Sequence, residues 1–248
     1  MNKIKILGYE IMDIDYKKLF QEIECLLQKK RFFYFVTLNP EIVVVAREAQ
    51  ELADYIKKAQ MIFADGIGIV LGSKLLTGKA PQKITGIDLV EKLLHKQKYS
   101  FYLVGAKPHV MEKAAQKIKE KYPGSELKGY HHGYYDLKGE QAIIKDIKKT
   151  RPDFILVGLG FPNQDVFIRK LIKTLNQGIA IGIGGSLDII SGTKKRAPFL
   201  LRKIGVEWLY RTFKEPKRIL RWYFLQSYVW LILKEWFKKL KITFYPQR

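Results

Sequence analysis

At 248 residues the chain is long enough for one substantial α/β core and a small appendage, and its 47% hydrophobic, 28% charged composition excludes a disordered or fibrous protein. The net charge is +21, and the lone cysteine, Cys25, excludes an intramolecular disulfide and fits a reducing compartment. Met1–Gly8 has neither a long apolar stretch nor a small-residue cleavage site, so no signal peptide is expected.

Near its start the chain carries Asp13-Ile14-Asp15, which matches the DxD pattern of many metal-using sugar-nucleotide enzymes. Asp15 stands at the start of a helical pattern, however, where it is a natural N-cap, and no metal site is expected. That helix, Tyr16–Lys29, carries Cys25 among Ile23, Leu26 and Leu27, which predicts a buried structural thiol. An apolar strand at Phe32–Val36 follows, running into Thr37-Leu38-Asn39 and a helix from Glu41 to about Lys58. A second strand, Met61–Ala64, runs into Asp65-Gly66-Ile67-Gly68 and a helix over Ile67–Leu76. A loop at Thr77–Lys83 precedes a helix at Ile87–His95.

Ser100–Gly105 is the next strand, followed by a helix at Pro108–Tyr122 with proline in its first turn, and a weak strand at Glu126–Tyr130. His131 and His132 are adjacent and not a helical turn apart, which argues against a metal pair. A helix at Gly139–Thr150, a strand at Asp153–Gly158, a helix at Asn163–Leu175 and a strand at Ile179–Ile183 complete the alternation. Strands without polar alternation, separated by helices, predict a Rossmann-like α/β domain: a mostly parallel sheet with helices on both faces, covering residues 1–191.

From residue 192 the pattern is helical only, roughly Phe199–Phe213 and Pro216–Lys241, and predicts a C-terminal helical appendage over 192–248. It carries fifteen Lys/Arg against three Asp/Glu, which is +12 of the total, together with all four tryptophans. Its apolar run Trp222–Leu233 would be about 18 Å long as a helix, short of the roughly 30 Å hydrocarbon core. An interfacial helix on an anionic membrane surface suits it, as does packing on the protein's own domain or on a second subunit.

Strand ends in open α/β sheets converge on one crevice, so the polar residues there are the candidate site. Asp65 is either a general base or the cap of its helix, and Thr37 and Asn39 on the neighbouring strand end favour the former. Gly66-x-Gly68 lacks the third glycine of a dinucleotide fingerprint, with Leu71 in its place, so no NAD site is expected. The turn Gly184-Gly185 is suited to cradling a phosphate or packing on a nucleotide, and otherwise is only a tight turn. Gln164, after Gly158-x-Gly160-x-Pro162, is placed to read a sugar hydroxyl. Arg218 and Arg221 share a helical face near Arg211, which suits a diphosphate or a solvated stripe.

Taken in order, Thr37-x-Asn39-x-Glu41, Ala64-Asp65-Gly66-x-Gly68, Thr85-Gly86-x-Asp88, Tyr122-Pro123-Gly124, Gly133-Tyr134, Gly158-x-Gly160-x-Pro162-x-Gln164, Gly184-Gly185, Lys195-Arg196-Ala197-Pro198 and Glu207-Trp208-Leu209-Tyr210-Arg211 with Glu215-Pro216-x-Arg218 form a specific series. Over nearly the whole chain it resembles the WecG/TagA/CpsF family of bacterial glycosyltransferases.

The resemblance implies an inverting, metal-independent, cofactor-free transferase, cytoplasmic and peripheral on the inner face of the cell membrane. Its donor would be a UDP-sugar, with N-acetylmannosamine the expected sugar and glucose or N-acetylmannosaminuronic acid the alternatives. Its acceptor would be a polyprenyl-diphosphate-linked GlcNAc used in cell-wall teichoic acid or surface polysaccharide synthesis. Asp65 would deprotonate the acceptor hydroxyl, and Thr37, Asn39 and Gln164 would line the sugar site. Tyr134, Gly184 and Gly185 would hold the uridine, while Arg211, Arg218 and Arg221 would reach the diphosphate.

The chain departs from the family twice: Lys83 stands where arginine is usual, keeping the charge without the bidentate fork, and Asp165 where glutamate is usual. A homo-oligomer is compatible with these features. The different-class alternative is a non-enzymatic protein that binds nucleic acid or anionic surfaces. It is disfavoured because the tail's aromatics lie in an apolar run and are not interleaved with Lys/Arg, so no nucleic-acid partner is expected.

Overall fold

The computed structural model describes residues 2–215, 219 and 222–244. The chain opens with an antiparallel hairpin, β1 (Asn2–Ile6) and β2 (Tyr9–Asp13), which the sequence reading did not include. Its signal was present. Lys3 and Lys5 are exposed while Ile4 and Ile6 are buried, and Leu7-Gly8, both with positive φ, make a tight turn of the kind that joins twisted strands.

Then come α1 (Tyr16–Gln28), β3 (Phe32–Leu38), α2 (Pro40–Glu48), α3 (Gln50–Lys57), β4 (Met61–Ala64), α4 (Ile67–Thr77) and α5 (Gly86–His95). The alternation continues through β5 (Ser100–Gly105), α6 (Pro108–Lys121), β6 (Glu126–His131), α7 (Leu137–Thr150), β7 (Phe154–Gly158), α8 (Asn163–Thr174), β8 (Gly178–Gly182) and the short α9 (Ser186–Ile190). The six strands β3 to β8 form one sheet in the order β4-β3-β8-β7-β5-β6, with every pair parallel.

Helices cover both faces, so the strands read apolar without alternation. Val36, Leu38, Ile155 and Val157 face one core, and Phe35, Phe63, Leu156 and Ile181 the other. The chain leaves the β4-β3 half of the sheet in the connection from β4 to β5, so the neighbours β3 and β8 belong to the two different halves. That switch point is where ligands bind in such folds.

Several local expectations are corrected. The helix expected over Glu41–Lys58 is two helices, because Ala49 leaves the helical region at φ −126°, ψ 85°. The helix expected over Phe199–Phe213 is likewise two, α10 (Phe199–Lys203) and α11 (Glu207–Lys214). Gly205, at φ +83°, separates them, and a β-carbon there would come within 2.7 Å of Ile67, so the break brings the chain hard against the start of α4. Cys25 is exposed and not buried. The inward stripe of α1 is Leu19, Ile23 and Leu26, and a residue two positions past Ile23 points to the opposite side.

The last helix, α12 (Trp222–Phe244), lies on α2 and α4. Gly68 and Gly72 on α4 admit it closely, with the Tyr228 hydroxyl donating to the Gly68 carbonyl at 3.3 Å and Tyr228 and Ile232 buried. Its other side exposes Trp230 and Phe237. Among the described residues no helix is long and apolar enough to cross a membrane. Arg218 and Arg221 lie outside the described residues.

Candidate active site

The C-terminal ends of β4, β3, β8 and β7 open into a cleft of about 970 Å³, roofed by α11 and α12. Asp65, one residue beyond β4, lines it and is half-buried. Its backbone N–H donates to the Leu38 carbonyl at 2.8 Å, which ties the two strand-end loops together. Asp65 is not a side-chain helix cap: the N-cap of α4 is Gly66, which has none.

Burial pushes the Asp65 carboxyl up to about 7. The Gly86 N–H and the Arg211 guanidinium pull it back only partly, while Glu207 and Asp88 add to the rise. A carboxylate at that value is matched to taking a proton near neutral pH.

The other expected residues divide. Thr37 is buried on the cleft floor and donates to the Gly182 carbonyl at 3.3 Å, pinning β3 to β8. Asn39 lines the cleft while its Oδ1 caps α2 through the Ile42 N–H at 3.0 Å. Gln164 is buried, and its Oε1 accepts from the Gly184 N–H at 2.9 Å. It therefore shapes the glycine turn from beneath.

Within that turn the Ser186 N–H is also spent, on the Ile183 carbonyl at 3.1 Å. The Gly184-Gly185 turn thus presents a surface for a flat group to pack on, more than an amide cradle for a phosphate. Tyr134 is exposed on the loop after β6 and does not reach the cleft lining.

Lys83 and Arg211 bring positive charge to the cleft. Lys83 sits beside the end of β4 through an Ala64–Lys83 bridge, and its Nζ donates to the Arg202 carbonyl at 2.8 Å. Arg211 pairs with Glu207 one turn earlier on α11. Lys194 adds a third cation, held by Glu215 at 3.0 Å and Asp188 at 3.7 Å.

Two further connections were not assigned from sequence. Arg196 binds Asp88 and, at 3.0 Å, Glu91, so the start of the C-terminal segment is fastened to α5. Burial would raise the Asp88 carboxyl, but the Thr85 hydroxyl at 2.6 Å and Arg196 outweigh it and hold it below the usual carboxylate range. The second is Asp165, buried behind Gln164, which accepts from the Tyr34 hydroxyl; burial pushes its carboxyl up to about 6. Arg196 stood in a motif whose role needed α5 folded against it, and Asp165 was marked only as a shorter acid where glutamate is usual.

Among the described residues no group of three His, Cys, Asp or Glu is placed to hold a metal ion. Asp13 accepts from the Gln82 N–H at 3.1 Å, and Asp15 caps α1 through the Lys18 N–H at 2.8 Å. His131 turns its Nδ1 to the His132 carbonyl.

Residues 4–242 match the model of the glycosyl transferase WecG/TagA/CpsF family. Among curated proteins the chain is 36% identical over 243 residues to the N-acetylglucosaminyldiphosphoundecaprenol N-acetyl-beta-D-mannosaminyltransferase of Staphylococcus aureus strain MW2, spanning 94% of this chain and 92% of the relative. The protein of the same name from strain NCTC 8325 / PS 47 matches to the same extent, and that of strain MRSA252 is 35% identical over the same shares.

Proposed function

The chain belongs to the WecG/TagA/CpsF family of glycosyltransferases, and from that premise we propose that it moves N-acetylmannosamine from a UDP-sugar to a polyprenyl-diphosphate-linked GlcNAc with inversion and without a metal. The observation that carries the reading is the place of Asp65: its carboxyl lines the cleft where two strand ends meet, within electrostatic reach of the Arg211 guanidinium, and burial pushes it up to about 7. The relatives named above act on a GlcNAc-diphosphoundecaprenol acceptor.

In the proposed step Asp65 takes the proton of the acceptor hydroxyl as that oxygen attacks the donor's anomeric carbon. The bond from that carbon to the diphosphate breaks on the opposite face, its electron pair leaving with the nucleoside diphosphate. A single displacement of this kind inverts the anomeric centre. Lys83, Lys194 and Arg211 supply the positive charge that a departing diphosphate needs, with Arg218 and Arg221 proposed to join them. The Gly184-Gly185 turn is proposed as the base-packing surface, and Tyr134 as a uridine contact made when its loop closes.

The setting is proposed to be the cytoplasmic face of the membrane. Phe199, Leu200, Phe213 and Trp230 are exposed beside the basic residues of the C-terminal segment, the pattern by which a protein rests on an anionic surface.

The test is transfer from a panel of UDP-sugars to a short-chain polyprenyl-diphosphate-GlcNAc in EDTA. Turnover with UDP-N-acetylmannosamine is expected. Turnover only with another UDP-sugar would move the donor and keep the mechanism, and loss of activity in EDTA would overturn metal independence.

A further inference from the structure

We propose that the groove between α4 and α12 seats the prenyl chain of the acceptor, an inference that rests on the transferase reading of the same cleft. The cleft changes character along its length. Asp65 stands just before the start of α4, and Lys83, Arg211 and Lys194 also line the cleft. Its outer arm is walled by Leu71 and Leu75 of α4 and by Leu225 and Val229 of α12, with Trp208 and Trp222 at the junction.

Leu71, Leu75 and Val229 are 56%, 43% and 48% exposed, which is unusual for neighbouring aliphatic side chains lining one groove. Core packing does not require them, because Ile69 and Leu76 on α4 and Tyr228 and Ile232 on α12 already bury these helices' inner faces. The exposed leucines are one helical turn apart on the same face of α4. From Ile67 to Leu75 that face runs about 12 Å from the Asp65 end outward.

With an acceptor hydroxyl at Asp65, the hydrocarbon at the acceptor's other end runs outward along α4, where Leu71, Leu75, Leu225 and Val229 meet it. The groove is continuous with the reaction centre, so a single chain attached to the acceptor fits it, while bilayer acyl chains are the competing occupant. Burying a five-carbon unit against such walls releases apolar surface from water and tightens binding.

The test uses GlcNAc-diphosphate acceptors carrying one, two or three isoprene units, below their aggregation limits and without detergent or vesicles. In the unaltered protein the acceptor KM is expected to fall by about tenfold or more from one unit to three. Leu71→Asp and Leu75→Asp, both at exposed positions, are expected to collapse that ratio to within about twofold. Ile172→Asp, at an exposed position on α8 outside the cleft lining, should keep both the ratio and the turnover.

Equal KM values for all three acceptors in the unaltered protein would overturn the groove and leave the transferase reading standing. A chain-length ratio that survives both leucine substitutions would overturn it too, placing the hydrocarbon elsewhere. Absence of transfer to every acceptor would overturn both readings together.

Discussion

Lys83 donates from Nζ to the main-chain carbonyl of Arg202 at 2.8 Å, joining the loop beside β4 to the last turn of α10. The bond joins the edge of the sheet to the C-terminal segment, so Lys83 both charges the cleft and holds α10, which leads into the roof. Lys83→Met removes a hydrogen bond worth about 1 kcal/mol and one cation from the cleft. We expect kcat/KM to fall by about tenfold to a hundredfold, with a drop in Tm of a few degrees. Unchanged kinetics with a lowered Tm would confine the residue to the roof.

Asp65→Asn keeps the shape and removes the base. Turnover should fall by about 10²–10⁴-fold while calorimetric binding of the UDP-sugar persists. In the unaltered protein the base form is needed, so kcat/KM should rise with pH through about 7 and level off above it.

Stability should run the other way. The folded carboxyl lies above its unfolded value, so the fold is destabilised above about 7 and relieved as pH falls toward 4. At pH 8 the asparagine variant should therefore melt higher, by about 2–4 °C for each kcal/mol of relieved burial. An unchanged melting curve at pH 8 would show that Asp65 is better solvated than its setting suggests.

How far this was legible in the sequence depended on range. Asp65, Thr37 and Asn39 stand at the ends of strands whose apolar runs are unmistakable, so their convergence could be expected from the architecture, whereas Lys83 ends a loop between two helices and was singled out only by the family resemblance. Gln164 was read as a sugar contact, because sequence cannot show that the Gly184 N–H takes up its carbonyl oxygen. The β1–β2 hairpin had a readable alternation but strands of only five residues each. The packing of Tyr228 on Gly68 was illegible, since the partners are 160 positions apart and α12 is apolar nearly all round.

Tyr34→Phe should expose the cost of the buried acid behind Gln164. The Tyr34 hydroxyl donates to Asp165, whose carboxyl burial already raises to about 6. Without that donor the charged form loses a partner, at about 1–3 kcal/mol. The carboxyl is charged above about 6 and protonated below, so the loss in Tm should be larger at pH 8 than at pH 5. A loss independent of pH would mean that packing against Tyr55, stacked at 5.2 Å, is what the substitution disturbs.

Gly72 sets how closely α12 can lie on α4. A β-carbon there would stand 2.4 Å from the Tyr228 hydroxyl and 3.0 Å from Ile232. Within a helix, Gly→Ala ordinarily gains up to about 1 kcal/mol. Here we expect a net loss of about 1–3 kcal/mol, because Tyr228 must tilt and give up the Gly68 carbonyl. Tyr228→Phe alone should cost about 1 kcal/mol for the lost bond.

Combined, the two changes should cost less than their sum, since phenylalanine has no hydroxyl for the new methyl to strike. A coupling of at least about 0.5 kcal/mol in a double-mutant cycle would verify the contact. Strict additivity would place Tyr228 away from Gly72, and with it the roof that brings Trp222 and Val229 over the cleft.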